Sequence, residues 1–185
     1  MYLLYAHSVN TETELRMAEF ISKKPTEICD NVFSEIGNRW MLITAYDTEN
    51  DRVNAMTASW GAMGVLWNRP VLIAFVRPQR YTYSLLEASD VCSACFLDGQ
   101  REALKICGTK SGRDTDKISE SGLTPVELEG IWGFAEAGRV LKLRKLFVSD
   151  MKKENFLDSA LLRNYPENDY HRVYVYEIET VFEQE

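Results

Sequence analysis

RWMLITAYDTENDRVNAMTAS (39–59) is the stretch on which the fold turns. Residues 39–46 are rich in aromatic and β-branched types, DTENDR (47–52) is a polar turn, and VNAMTAS (53–59) returns as a second strand. Working outward, PVLIAFVR (70–77) is a near-continuous apolar strand of central character, and VCSACFL (91–97) is another. Residues 123–150 keep a β pattern, with Gly130, Gly133 and Gly138 at turns or bulges. HRVYVYEIETVF (171–182) alternates Val173 and Val175 against Tyr174 and Tyr176 and forms the last strand. WGAMGVLWNRP (60–70) has Gly, Trp and Pro without periodicity and is expected to be a loop.

Helices are brief by comparison. PTEICDNVFSEIGN (25–38) predicts one opened by Pro25 or Thr26 and stopped by Gly37. QRYTYSLLEAS (79–89) predicts another, with Tyr81, Leu85 and Leu86 on one side. Two short pieces flank a Gly/Ser loop within 99–121, and NFLDSALLRN (155–164) is a fourth site of helix. Strands outnumber helices, so the chain is mainly β: a closed or nearly closed barrel with decorating helices, not a parallel βαβ sheet. Residues 1–16 read as an N-terminal extension, and 17–185 as a single domain beginning at Met17.

Bulk properties narrow the function. The 185 residues suit one domain with a real core, and 45% hydrophobic with 26% charged residues is ordinary globular composition. A net charge of −7 argues against general nucleic-acid binding, which needs a basic surface. No apolar run approaches the roughly 20 residues that span a bilayer. MYLLYAHSVN lacks the basic start and apolar stretch of a signal peptide, so the expected location is cytoplasmic.

Cys92 and Cys95 form a CxxC within an apolar strand. Redox CxxC pairs sit at a helix N-terminus that lowers the thiol pKa. Strand alternation also puts these two on opposite faces. With no second pair to complete a zinc site, both are expected to be core cysteines.

Three segments gather polar and glycine residues. Asn54–Gly61 (NAMTASWG) places small residues at a strand end, where backbone can approach a flat ligand; equally it could be a tight barrel corner. Arg77–Tyr83 (RPQRYTY) ends a strand and opens a helix with Arg and Thr in its first turn, either an anion cradle or a capped helix with a solvated arginine. Cys107–Lys117 (CGTKSGRDTDK) is not a P-loop; it is an ordinary helix–helix loop or a polar lid over a ligand. The two histidines, His7 and His171, make no metal-spaced cluster. G-x-S-x-G, H-E-x-x-H and G-x-G-x-x-G are absent. A chain so poor in nucleophile–base pairs suits a bound cofactor that supplies the reactivity.

NAMTASWG (54–61), WNRP (67–70) and VRPQRYTY (76–83), followed by Ser111-Gly112 and Asp116-Lys117, resemble the flavin reductase-like, FMN-binding split-barrel proteins, in particular the flavoredoxin-like branch. The likeness runs from about Met17 to the last strand and is specific in the central third. It implies a six-stranded antiparallel Greek-key split barrel and a homodimer with FMN near the interface. Thr57, Ala58, Ser59 and Trp60 would line the isoalloxazine, and Arg80, Tyr81 and Thr82 would hold the phosphate. Gly108, Ser111, Gly112 and Lys117 would close over the ribityl–phosphate side. His171 would lie on the nicotinamide side, with Arg172 where many relatives carry a second histidine; from the residues alone it is a strand-edge histidine.

The activity so implied is an NAD(P)H-dependent flavin reductase: hydride from NADH or NADPH to FMN N5, then electrons to an acceptor, with no catalytic side chain named. The alternative is a flavoredoxin-type electron carrier, reduced by a redox protein partner whose basic patches suit this acidic chain. Flavin storage without turnover needs the same cradle. Haem binding is disfavoured, because Arg80 and Thr82 suit a phosphate and His171 is the one candidate axial ligand in the domain.

Overall fold

The computed structural model describes residues 19–184; the extension assigned to 1–16 and the start at Met17 lie outside them. Eight strands form one antiparallel sheet: β1 (Phe20–Lys23), β2 (Met41–Asp47), β3 (Arg52–Ala58), β4 (Gly61–Leu66), β5 (Arg69–Val76), β6 (Val91–Leu97), β9 (Ala137–Asp150) and β10 (Arg172–Gln184). β7 (Pro125–Leu128) and β8 (Ile131–Phe134) make a separate hairpin. The sheet order is β3-β2-β6-β9-β10-β5-β4, with β1 added along β10.

The edge strands β3 and β4 are consecutive in sequence, with Ser59 and Trp60 alone between them. Three peptide steps reach about 11 Å at most. The two edges of the sheet must therefore come together, and the sheet curls into a barrel split along that seam.

Alternation along the strands builds two cores. Ile43, Met56, Leu72, Ala94, Tyr174 and Tyr176, from five strands, face one; Leu42, Ala55, Cys95, Leu97 and Phe134 face the other. Cys92 joins the first core and Cys95 the second, so they do point apart as alternation requires. Both thiols are free and buried, and burial pushes them up to about 12 and about 11. Among the described residues no cluster of His, Cys, Asp and Glu could hold a metal, and no helix is long and apolar enough to cross a membrane.

Several expectations need correction. Six strands are too few: among the described residues the main sheet has eight. Residues 60–70 are not a loop but carry β4, joined to β5 by a two-residue turn in which Trp67 (φ 51°) and Asn68 (φ 59°) are both left-handed, the geometry that matches strand twist. The helix expected from Pro25 starts instead at Asn31, whose side chain accepts from the Phe33 and Ser34 N–H groups; Pro25–Glu27 is an isolated turn. Gly130 (φ 80°) is a turn residue and Gly138 is the bulge opposite Phe96 and Leu97. Gly133 sits mid-strand, where a Cβ would meet Val140 at 2.9 Å. Residues 153–164 hold only two short 3₁₀ turns.

The helices α1 (Val32–Ser34), α2 (Tyr81–Ala88), α3 (Arg101–Thr109) and α4 (Lys117–Ser121) lie between strands as read from the sequence. α2 follows Pro78 and has Arg80, whose backbone is extended, at its N-cap. α3 and α4 pack beside β3, so the seam, the start of α2 and the α3–α4 junction face one space.

Candidate functional site

That space is a cavity of about 410 Å³, within the range of small-molecule sites. Thr57, Ala58, Ser59 and Trp60 from the seam, Arg80, Tyr81 and Thr82 from the start of α2, Ser111 and Lys117 from the α3–α4 junction, and His171 before β10 all line it. Ten of the twelve expected positions are thus brought together from four separated segments. Gly108 and Gly112 stand behind the wall. A Cβ on Gly108 would meet Thr57 at 3.3 Å, and one on Gly112 would meet Asn54 Oδ1 at 2.2 Å. Their lack of a side chain lets α3 and the 110–116 loop approach β3.

The electrostatics are unusual at one end. The Arg80 guanidinium donates to the Gly108 carbonyl at 2.6 Å. Lys117 Nζ lies 3.4 Å from the carbonyls of both Cys107 and Lys110. Two cations therefore sit at the C-terminal end of α3, where the helix dipole is negative. Among the described residues neither forms an ion pair with a carboxylate. Burial, followed by Arg77, pushes Arg80 below its usual range. Burial pushes Lys117 down to about 8, with Arg80 adding to the effect and Cys107 opposing it. Two inward cations without a counter-charge are costly to keep unless an anion joins them.

α2 begins beside them. Arg80 N–H bonds the Arg77 carbonyl and Tyr83 N–H the Arg80 carbonyl. The intervening N–H groups of Tyr81 and Thr82, at the start of the helix, have no acceptor within it. The cradle is therefore two cations and a helix N-terminus around one end of the cavity, a fit for a phosphate dianion.

Roles within the cradle differ from the sequence reading. Thr82 is buried and its hydroxyl accepts from Asn54 Nδ2 at 2.8 Å, so its side chain joins α2 to β3 and only its backbone remains for a ligand. Tyr81 donates its hydroxyl to Asp47 and lies under the Arg113 guanidinium. Thr57 donates its hydroxyl to the Leu104 carbonyl, tying the seam to α3. Lys117 is buried, not a lid residue. The 110–116 loop is fastened as a wall: Arg52 donates to the Gly112 carbonyl, and Arg113 to the Gln79 carbonyl at 3.2 Å.

At the other end the walls are aromatic. Trp60, half exposed, stands with its ring 5.3 Å from His171, and Phe75 lies 6.3 Å from it. Burial and Arg77 push His171 down to about 4, against Asp169, so the ring is neutral. Phe75, Tyr165 and Asp169 were not singled out in the sequence, because nothing local marks their approach to His171.

Comparison with known proteins agrees with this geometry. The flavin reductase-like domain family matches residues 33–149, more than half of the chain, and the chain belongs to that family. It is accordingly a flavin-binding split-barrel domain in class. No curated protein sequence matched.

Among solved structures, an FMN-binding domain of a flavin reductase-like enzyme from Shewanella baltica superposes with a TM-score of 0.65 at 14% identity, covering 90% of this chain and 78% of that one. A flavoredoxin from Methanosarcina acetivorans gives 0.61 at 20% identity, covering 80% and 69%. An NADH:FAD oxidoreductase from Streptomyces globisporus, in complex with NAD and FAD fragments, gives 0.58 at 17% identity, covering 78% and 73%. These likenesses establish the shared fold.

Proposed function

We propose that the chain binds FMN in this cavity and serves as an NAD(P)H-dependent flavin reductase. The observation that carries the reading is the pair Arg80 and Lys117, turned inward at the end of α3 with carbonyl partners only among the described residues. They and the first turn of α2 hold the phosphate. Backbone at Thr57–Trp60 faces the flat ring, with small side chains at Ala58 and Ser59 allowing close approach. When bound, FMN takes up hydride and passes electrons on. Trp60, Phe75 and His171 form the open aromatic side where a nicotinamide ring would stack. The NAD-bound Streptomyces structure supports a nicotinamide donor.

The protein would act as a homodimer. Phe33 (89% exposed) and Trp60 line a groove of about 890 Å³ that shares Ser59, Trp60 and Phe75 with the flavin cavity. Val65 on edge strand β4 and Trp67 in the turn after it add exposed apolar surface. A second copy covering this face would bury it and shield the ring.

An electron-carrier reading is favoured by the likeness to flavoredoxins and by the net charge of −7, which suits a basic redox partner. One experiment separates the two. The purified protein is loaded with FMN, freed of oxygen and mixed with NADH or NADPH. Rapid bleaching of the flavin bands supports the reductase. Bleaching by dithionite alone transfers support to the carrier, and failure to retain FMN at all contradicts both.

A further inference from the structure

Arg77 stands beside Arg80 in sequence but has a different task. Its Nη1 pairs with Asp169 Oδ2 at 2.6 Å, its Nη2 donates to the Asn164 carbonyl at 2.8 Å, and its guanidinium lies 5.2 Å from the Tyr165 ring centre. Gln79 Nε2 donates to the same Asp169 oxygen. One arginine just past β5 thus clamps both ends of the 164–169 segment, which leads into β10.

The clamped segment presents Tyr165, buried like His171, with its hydroxyl 2.8 Å from His171 Nδ1. Two arrangements satisfy that distance. Either the phenol donates to a bare Nδ1, leaving the ring hydrogen on Nε2, or Nδ1–H donates to the phenol oxygen. In the second case the phenol hydrogen must go to Met151 Sδ at 3.7 Å. A thioether sulfur is a weak acceptor and an imidazole nitrogen a good one, so the first arrangement is preferred. Nε2 has no hydrogen-bond partner among the described residues and is not a sealed orphan; the ring lines the cavity between Trp60 and Phe75. A lone N–H donor in an aromatic slot selects a flat ring that carries an acceptor oxygen.

We propose that Tyr165, held by the Arg77–Asp169 clamp, is a positioning residue that fixes His171 with its hydrogen on Nε2, so that His171 donates to a carbonyl or carboxamide oxygen of the planar redox substrate entering beside Trp60 and Phe75. The substrate part rests on the reductase reading; the tautomer does not.

The test uses the FMN-loaded full chain with ¹⁵N-labelled histidine. The chain has two histidines, so His171→Asn assigns the His171 signals. At pH 7 the wild type should show the Nε2–H tautomer, and Tyr165→Phe a mixture. In anaerobic stopped-flow, Tyr165→Phe should weaken apparent NADH or NADPH binding about threefold to tenfold, the worth of one neutral hydrogen bond, with FMN affinity unchanged. If instead the KM of a quinone acceptor rises by that factor, the recognised oxygen belongs to the acceptor. An Nδ1–H tautomer in the wild type overturns the proposal. So does a Tyr165→Phe protein with unaltered tautomer and unaltered constants. Should Tyr165→Phe not fold, the wild-type spectrum still decides the tautomer. If nicotinamides do not reduce the wild-type flavin, the reductase reading falls while the spectrum judges the positioning on its own.

Discussion

Arg139 and Arg80 are the same residue type in similar burial, put to opposite uses. Arg139, on β9, bonds Glu183 at 2.6 Å and Asp30 at 2.5 Å, with Glu35 at 4.0 Å. Burial alone would lower its pKa, but Glu183 and Asp30 outweigh burial and raise it. Among the described residues Arg80 has a carbonyl partner only, and burial with Arg77 lowers it. The first site is electrically complete and joins β9 and β10 to the segment before α1. The second would be complete only with a ligand. A half-buried cation without its carboxylate marks a binding site better than a cation in a pocket does.

The strongest way to break this contrast is to remove charge from each site in turn. Arg80→Met with Lys117→Met should lower FMN affinity by about 10²- to 10⁴-fold, two charge-assisted hydrogen bonds, while the melting temperature at pH 7 holds or rises. Fluorescence titration and a thermal melt check both halves. Arg139→Met should do the reverse. It leaves Glu183 and Asp30 without their shared partner and costs about 2 kcal/mol in urea unfolding, discounted from a fully buried pair. FMN affinity should stay within about twofold, a change worth less than one hydrogen bond.

Proton linkage sharpens the comparison. Lys117 sits at about 8 in the fold against 10.5 unfolded. Between those values the unfolded chain holds the extra proton, so the FMN-free protein should gain stability as pH rises from about 8 to 10.5. FMN affinity should move the other way, because the phosphate needs the ammonium, and fall about tenfold from pH 8 to 9.5. Lys117→Met should flatten both profiles, and Arg139→Met should leave them unchanged.

Two glycines give the smallest contrast. Gly112→Ala drives a Cβ to 2.2 Å from Asn54 Oδ1, a buried atom fixed by the Thr82 bond, and should weaken FMN about threefold to tenfold by displacing the cradle wall. Gly138→Ala meets Asp98 Oδ2 at 2.4 Å, the end of an exposed side chain that can swing away, so FMN binding should not change.

The same distinction separates what the sequence disclosed from what it hid. β2, β3, β6 and α2 were legible because alternation, a polar turn and a proline break are local signals. β4 was not, since Gly61, Gly64 and the Trp67-Asn68 turn erase the pattern of a strand that exposes most of its residues. Arg80 and Thr82 were legible as one option from the proline break and helix opening, and Lys117 from the family resemblance, but their individual roles were not. Thr82 and Tyr81 find side-chain partners in Asn54 and Asp47, and Arg77 finds Asp169, 92 residues away. Lys117 was expected in a segment closing over the ligand, and its burial against the end of α3 is not written in the local sequence. Partnerships at such separations are set by the closing of the barrel, which no local pattern reports.

The central claim is that an anion completes the Arg80–Lys117 end of the cavity. Its most direct test is a paired titration of the flavin-free wild type with FMN and with riboflavin, which differ only in the phosphate. The account predicts that FMN binds at least about 100-fold more tightly. Equal affinity for the two would contradict it.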